Sequence, residues 1–133
     1  PPPPPPPPPP APAPAPAPVC NAPVSFVVYF EWDKSNLSTE AASVIDGAVS
    51  RIGACTPSSV RIDGHADRSG SARYNVGLSS RRAAVVRDAL AGRGIAAGLM
   101  TTEAFGETQN AKATPDGVRE PLNRRTEVVI SVR

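Results

Sequence analysis

The first eighteen residues constrain the rest of the chain, because they cannot join a core. Pro1–Pro10 is an unbroken proline run and residues 11–18 alternate Ala with Pro, so the tract holds fourteen of the eighteen prolines and no charge. It offers no apolar side chain larger than Ala and almost no backbone donors. Consecutive prolines favour polyproline II at about 3.1 Å per residue, which predicts a semi-rigid rod of roughly 55 Å. Such a rod is either a spacer or a ligand for a groove of the SH3 or WW type. Folding is left to the remainder. Residues 1–23 read as a Pro/Ala-rich linker and 24–133 as one domain, long enough for one core and too short for two. A chain that opens on Pro1, with no initiator Met and no signal-type apolar segment, is expected to be a piece of something longer. No apolar run approaches the ~20 residues that span a bilayer.

Fourteen basic and twelve acidic residues leave a net charge of +2. That balance excludes a nucleic-acid partner held by bulk charge. The charges are mixed in sign along the domain without a contiguous like-charged block, so a membrane-surface patch is not indicated. Two cysteines, Cys20 and Cys55, belong to no C-x-x-C and no Cys/His cluster, so no metal site is expected. One such pair suits a single disulfide in an oxidising compartment or two buried thiols in a reducing one. Pro-Ala-Pro-Val before Cys20 does not resemble a lipoprotein cleavage box.

Val24–Phe30 is β-branched and aromatic and predicts a buried strand. Ser38 is a plausible N-cap with Glu40 in the first turn; Ala41, Val44, Ile45, Ala48, Val49 and Ile52 then share one helical face. Gly53 and Pro57 bracket its end. Val60–Gly64 predicts a second strand, running into the polar stretch His65–Gly70. A second helix is predicted from about Ala72 to Ala91, with a third strand over Met100–Phe105, a long loop over Gly106–Arg124 and a last strand from Thr126 to Val132. The order β-α-β-α-β-β predicts an α/β or α+β domain, a mixed sheet with helices packed on one face. The last strand, following a long loop, could pair in either direction.

Arg82 is out of place. It lies four residues after Leu78 and four before Val86, on the stripe that should face the core. A guanidinium cannot be neutralised, and burying it unpaired is costly, so an anionic partner is expected. Asp67, at the open end of the second strand, is the nearest candidate. The pair could be a fixed internal bridge or could be shared with a ligand carrying both charges; a rotated helix would instead expose Arg82. His65, the only histidine, reads as a hydrogen-bonded structural residue, since His-x-Asp lacks a third metal ligand. Ser69, Ser71, Ser79 and Ser80 sit in no nucleophile elbow, and the glycines match no nucleotide fingerprint. The residues therefore predict a binding module with a charged pocket and no catalytic constellation.

Four ordered motifs carry a family resemblance: Gly64-His-Ala-Asp67, Asn75-x-x-Leu78-Ser79-x-x-Arg82-Ala83, Phe105-Gly-Glu107 and Asn123-Arg-Arg-Thr-Glu-Val128. With Tyr29-Phe-Glu-Trp-Asp-Lys-Ser35, they make Val24–Arg133 similar to the OmpA-like C-terminal domain, a family that includes the peptidoglycan-associated lipoprotein and the flagellar stator protein MotB. The resemblance implies noncovalent binding of peptidoglycan in the periplasm, through the zwitterionic end of diaminopimelate in the stem peptide, without catalysis or cofactor. Asp67 matches the aspartate that takes the ammonium and Arg82 the arginine that takes the carboxylate. Asn75 matches a supporting position and Arg124 one near the pocket rim. Ala66 departs from the usual threonine, Arg81 adds a charge beside Arg82, and Glu107–Pro121 differs from the common loop.

The same resemblance implies an outer-membrane protein of the Gram-negative envelope, with an upstream β-barrel or other membrane anchor in the same chain and the Pro/Ala tract as its spacer. A stator-like wall-docking domain is the alternative. An oxidising periplasm would favour a Cys20–Cys55 disulfide.

Overall fold

The computed structural model describes residues 1–12 and 20–133. Residues 1–12 are exposed and carry neither helix nor strand. The expectation of a continuous rod falls partly on 13–19, outside the described residues.

The folded part contains β1 (Val24–Tyr29), α1 (Thr39–Ile52), β2 (Pro57–His65), α2 (Ala72–Gly92), β3 (Met100–Gly106) and β4 (Arg125–Val132). Its order is the predicted one. β2 begins earlier than expected, at Pro57, because Thr56 and Arg133 exchange two main-chain hydrogen bonds that extend the pairing with β4. The long loop ends in a short 3-10 turn at Pro121–Asn123.

The sheet order is β1-β4-β2-β3. β4 enters between β1 and β2, antiparallel to both, while β2 and β3 are parallel neighbours joined through α2. The direction of β4, left open by the sequence, is settled by this insertion. Alternation does the rest. Phe26 and Val28, Val60 and Ile62, Val128 and Ile130 point to one face, where they meet Ala41, Ile45, Ala48 and Ile52 of α1 and Ala83, Val86 and Leu90 of α2. Arg61, Asp63, Thr101 and Glu103 turn to the uncovered face, where Arg61 bridges Asp63 and Glu103 at 3.1 Å each.

Ser38 caps α1 as expected, its Oγ accepting from the Ala41 amide at 3.1 Å, and Gly53 closes the helix at φ 57°. The buried stripe of α1 is narrower than the six-residue face the sequence suggests, because Val44 lies on its flank and stays exposed. In α2, Leu78, Arg82, Ala83, Val86 and Leu90 are all buried. The exposed orientation of Arg82 is therefore excluded.

β1 and β2 run in the same direction, Val24 and Val60 both lying opposite Ile130. Both strands thus end at one pole of the sheet, where His65–Gly70 begins. Cys20 and Cys55 are joined at the other pole, with a Cα–Cα separation of 5.5 Å and 35 residues between them in sequence. Closing a loop of that length stabilises mainly by restricting the unfolded chain. Replacing both cysteines by serine is expected to lower unfolding free energy by about 2–4 kcal/mol. Paired urea titrations of the two proteins check this, and coincident midpoints would refute it.

Candidate functional site

The site is built where β2 gives way to α2. Gly64 lies under α2 so closely that a Cβ there would stand 2.0 Å from the Ser79 carbonyl oxygen, a contact only glycine permits. The register of β2 against β3 shifts between Gly64 and His65, which re-aims the chain and turns Ala66 and Asp67 inward. Ser71 caps α2 through the Tyr74 amide at 3.2 Å, and the first turn of the helix brings Asn75 against the same hollow. The resulting cavity, about 160 Å³, is lined on one side by Asp67, Ser69 and Asn75 and on the other by Trp32, Asp33 and Tyr74. Larger depressions lie on the uncovered sheet face, beside the long loop and along the segment leaving β1, the last lined by Arg124 with Glu31 and Lys34; none of the three is lined by Asp67, Asn75 or Arg82.

Asp67 is buried and fully engaged. One carboxylate oxygen accepts from the Ser69 amide at 3.2 Å and from Ser69 Oγ at 2.5 Å; the other accepts from the Glu120 amide at 3.1 Å and from Arg124 Nη1 at 3.4 Å. The direct ionic partner of Asp67 is therefore Arg124, not Arg82, and this corrects the expected Arg82–Asp67 bridge.

Arg82 is fully buried and satisfied differently. Its Nε donates to the Lys34 carbonyl at 2.9 Å, Nη1 to the His65 carbonyl at 3.0 Å and Nη2 to the Glu31 carbonyl at 3.2 Å. The Phe30 ring lies 5.2 Å from its guanidinium carbon. A planar fork with several donors can take three carbonyls from different segments, which a point-like ammonium cannot. Burial pushes its pKa down to about 10, and the field of Asp67 works against that fall, so Arg82 is still a cation at neutral pH. Asp67 thus acts on Arg82 through space.

Arg124 completes the arrangement by donating from Nε to the Phe30 carbonyl at 3.0 Å. Both arginines consequently grip the segment that leaves β1. That segment carries Trp32, whose Nε1 donates to Ser69 Oγ at 2.9 Å and whose ring lies 3.4 Å beneath the Arg119 guanidinium. Tyr74 donates its hydroxyl proton to Asp33, which holds φ at 56° and is the one non-glycine residue with positive φ among the described residues.

Of the four residues singled out by sequence, Asp67 and Asn75 line the cavity, Arg124 bonds Asp67 without lining it, and Arg82 is fully buried outside the lining. Asn75 is buried, and its Nδ2 has no hydrogen-bond partner in the described protein. The cavity is therefore lined by an anionic acceptor and by an amide whose buried nitrogen is unspent, and Asp67 lies within the field of the buried Arg82 cation. Trp32, Asp33, Tyr74 and Arg119 are absent from the sequence-based set. An exposed tryptophan inside a polar turn segment was the available signal. Asn123 is another omission: its side chain holds the Lys112 amide and carbonyl at 2.8 Å each, closing the long loop over Asp67. Among the described residues no cluster of His, Cys, Asp and Glu could hold a metal ion, and no helix is long and apolar enough to cross a membrane.

His65 is buried and stacked on Phe105 at 5.2 Å, as befits a structural residue. The expected hydrogen bonding is not found: neither ring nitrogen has a partner of ordinary geometry, and Glu127 approaches Nε2 only to 3.7 Å. Burial lowers its pKa below 6.5, helped by the charge of Arg125 and opposed by Glu127, Asp63 and the Gln109 carbonyl.

The profile of the OmpA family matches residues 29–124. Over 98 residues the chain is 34% identical to a peptidoglycan-associated lipoprotein of Haemophilus influenzae, covering 74% of this chain and 64% of that protein. Over 112 residues it is 33% identical to an outer membrane protein of Gluconacetobacter diazotrophicus, covering 80% of this chain and 30% of that one. The chain thus spans less than two thirds of the length of either relative. Among solved structures, the OmpA-like domain of FopA1 from Francisella tularensis superposes with a TM-score of 0.71 at 25% identity, covering 84% of this chain and 75% of that one.

The buried His65 ring sets a pH dependence. The unfolded chain takes up a proton that the folded protein refuses, so this contribution to stability is complete above about 6.5 and declines as pH falls below it. The His65 ring carbon–proton shifts in NMR spectra are expected to show no titration near that value. A ring titrating at its ordinary pKa would refute the assignment.

Proposed function

The chain belongs to the OmpA family, and from that premise we propose that its domain binds peptidoglycan noncovalently and tethers the outer membrane to the cell wall. The observation that carries the proposal is the cavity lined by both Asp67 and Asn75, whose buried Nδ2 has no partner, with the Arg82 cation within the field of Asp67. A zwitterion is the complementary guest. The free end of diaminopimelate, with one ammonium and one carboxylate, would set its ammonium on Asp67 and its carboxylate toward Asn75 and the positive field behind it. Charge-assisted bonds of this kind are roughly twice as strong as neutral ones and gain further where water is excluded.

Arg82 acts in this scheme chiefly as the buried counter-charge and the clamp of the pocket floor. Direct contact with a ligand carboxylate would require rearrangement, since Arg82 is fully buried and does not line the cavity. The pocket is assigned binding and no reaction. Ser69 Oγ spends its proton on Asp67, and the His65 ring is stacked beneath Phe105 and does not line the cavity. The domain is placed in the periplasm of a Gram-negative envelope, with the Pro/Ala tract as a spacer from an anchor in the same protein. A stator-type wall-docking domain would present the same pocket, and the segment preceding the tract separates the two. Alternating ~10-residue segments would mark a barrel, and a single ~20-residue apolar run would mark an inner-membrane helix.

Co-sedimentation with purified sacculi, with and without free diaminopimelate, tests the reading. Binding is expected to be competed by the free amino acid. Asp67→Asn keeps an acceptor for Ser69 but removes the charge that meets the ammonium, and is expected to weaken binding by about 2–5 kcal/mol. Undiminished pull-down by Asp67→Asn would overturn the pocket assignment. Arg82→Ala, by contrast, leaves three carbonyls without their donor and is expected to lose stability along with binding, as thermal denaturation would show. Deleting residues 1–18 should leave the sacculus affinity of the domain unchanged.

A further inference from the structure

We infer that the Cys20–Cys55 disulfide diverts tension from the proline tract away from the edge strand β1 and into β2, an inner strand of the sheet. The inference rests on the proposed tethering function in taking the tract as a tether that comes under load. Tension on such a tether enters the domain at Cys20, whatever the chain before it does.

Two routes lead on from Cys20. Through the disulfide, force passes to Cys55 and directly along β2, which is flanked by β4 on one side and β3 on the other and ends at His65, two residues before Asp67. This route is covalent from linker to pocket, crosses the sheet over roughly 30 Å, and requires no hydrogen bond to hold. Without the disulfide, force passes through Val24 into β1, an edge strand held in the sheet by β4 alone. Shearing β1 along β4 would draw out the segment that follows it. That segment supplies the Phe30 carbonyl to Arg124, the Glu31 and Lys34 carbonyls to Arg82, and Trp32 to the cavity wall.

β1, the gripped segment and α1 all lie between the two cysteines in sequence. With the bond closed they form a slack loop that bears no load. The placement of the disulfide at the pole opposite the site is what makes this bypass possible. A staple serving thermal stability alone has no need to join the linker to the strand that leads into Asp67.

The test stretches the full chain in optical tweezers between a handle at Pro1 and a second at Arg73, an exposed residue of the first turn of α2. The paired variant Cys20→Ser, Cys55→Ser is expected to lengthen in an early step on the order of 100 Å, as a ~35-residue segment is released at ~3.3–3.6 Å per residue. This step should come at a lower force than any transition of the native protein. Adding reductant to a native molecule already held under load should produce the same step, which keeps the test valid should the variant fold poorly. A variant or reduced molecule that yields in one step at the native force overturns the inference. A second arm pulls the chain from immobilised sacculi. Native and variant proteins are expected to stay attached equally long without load, and the variant to detach several-fold sooner under load. Equal lifetimes under load would also overturn the inference. If neither protein binds sacculi, the tethering function fails, and the two-handle measurement still decides the disulfide's role.

Discussion

The buried guanidinium of Arg82 is the contact on which the site depends. One side chain from α2 reaches the end of β2 through the His65 carbonyl and the exit of β1 through the Glu31 and Lys34 carbonyls. Three separate segments are thereby fixed to one another by a group that keeps its charge at neutral pH. Buried cations are costly unless they are hydrogen-bonded and an opposite charge stands near. Here main-chain oxygens supply the bonds and Asp67 supplies the field, so the two requirements are met by different parts of the chain.

That division of labour frees Asp67 to serve the cavity. Its four contacts come from Ser69, Glu120 and Arg124, and each belongs to the loops that overhang the strand ends. The long loop is brought there by Asn123, whose amide pins Lys112, and by the Gly117 amide, which donates to the Arg68 carbonyl at 2.7 Å. A carboxylate held by several donors is positioned more rigidly than one facing solvent. In the proposed function, an incoming ammonium would partly displace the same donors, so recognition would be an exchange of partners rather than the filling of a void.

The polarity of the sheet organises the molecule along one axis. Parallel β1 and β2 deliver every site element to one pole, while the disulfide and the C-terminal pairing of Arg133 with Thr56 gather at the other. The linker therefore leaves from the face opposite the cavity. An antiparallel relation between β1 and β2 would have brought the linker out beside the pocket, where it would crowd any large polymeric ligand.

The sequence by itself determined the division into tract and domain, because a proline run without large side chains can make no core. It determined the element order and type as well, because period-two and period-3.6 patterns dictate which face each strand or helix must bury. It also marked Arg82 as anomalous, since a charge on a buried stripe is legible in one dimension. Only the tertiary structure decided where β4 goes, because a strand after an eighteen-residue loop can be inserted at any edge or gap that the core leaves open. It also decided the partners of Arg82. Three main-chain carbonyls carry no residue identity, so no pattern in the sequence could have announced them, whereas a carboxylate at a strand end invited the simpler pairing. Trp32 and Tyr74 escaped for a related reason. They become neighbours only when the exit of β1 is laid across the start of α2, a distance of 42 positions along the chain that closes in space because both ends meet at the same pole of the sheet.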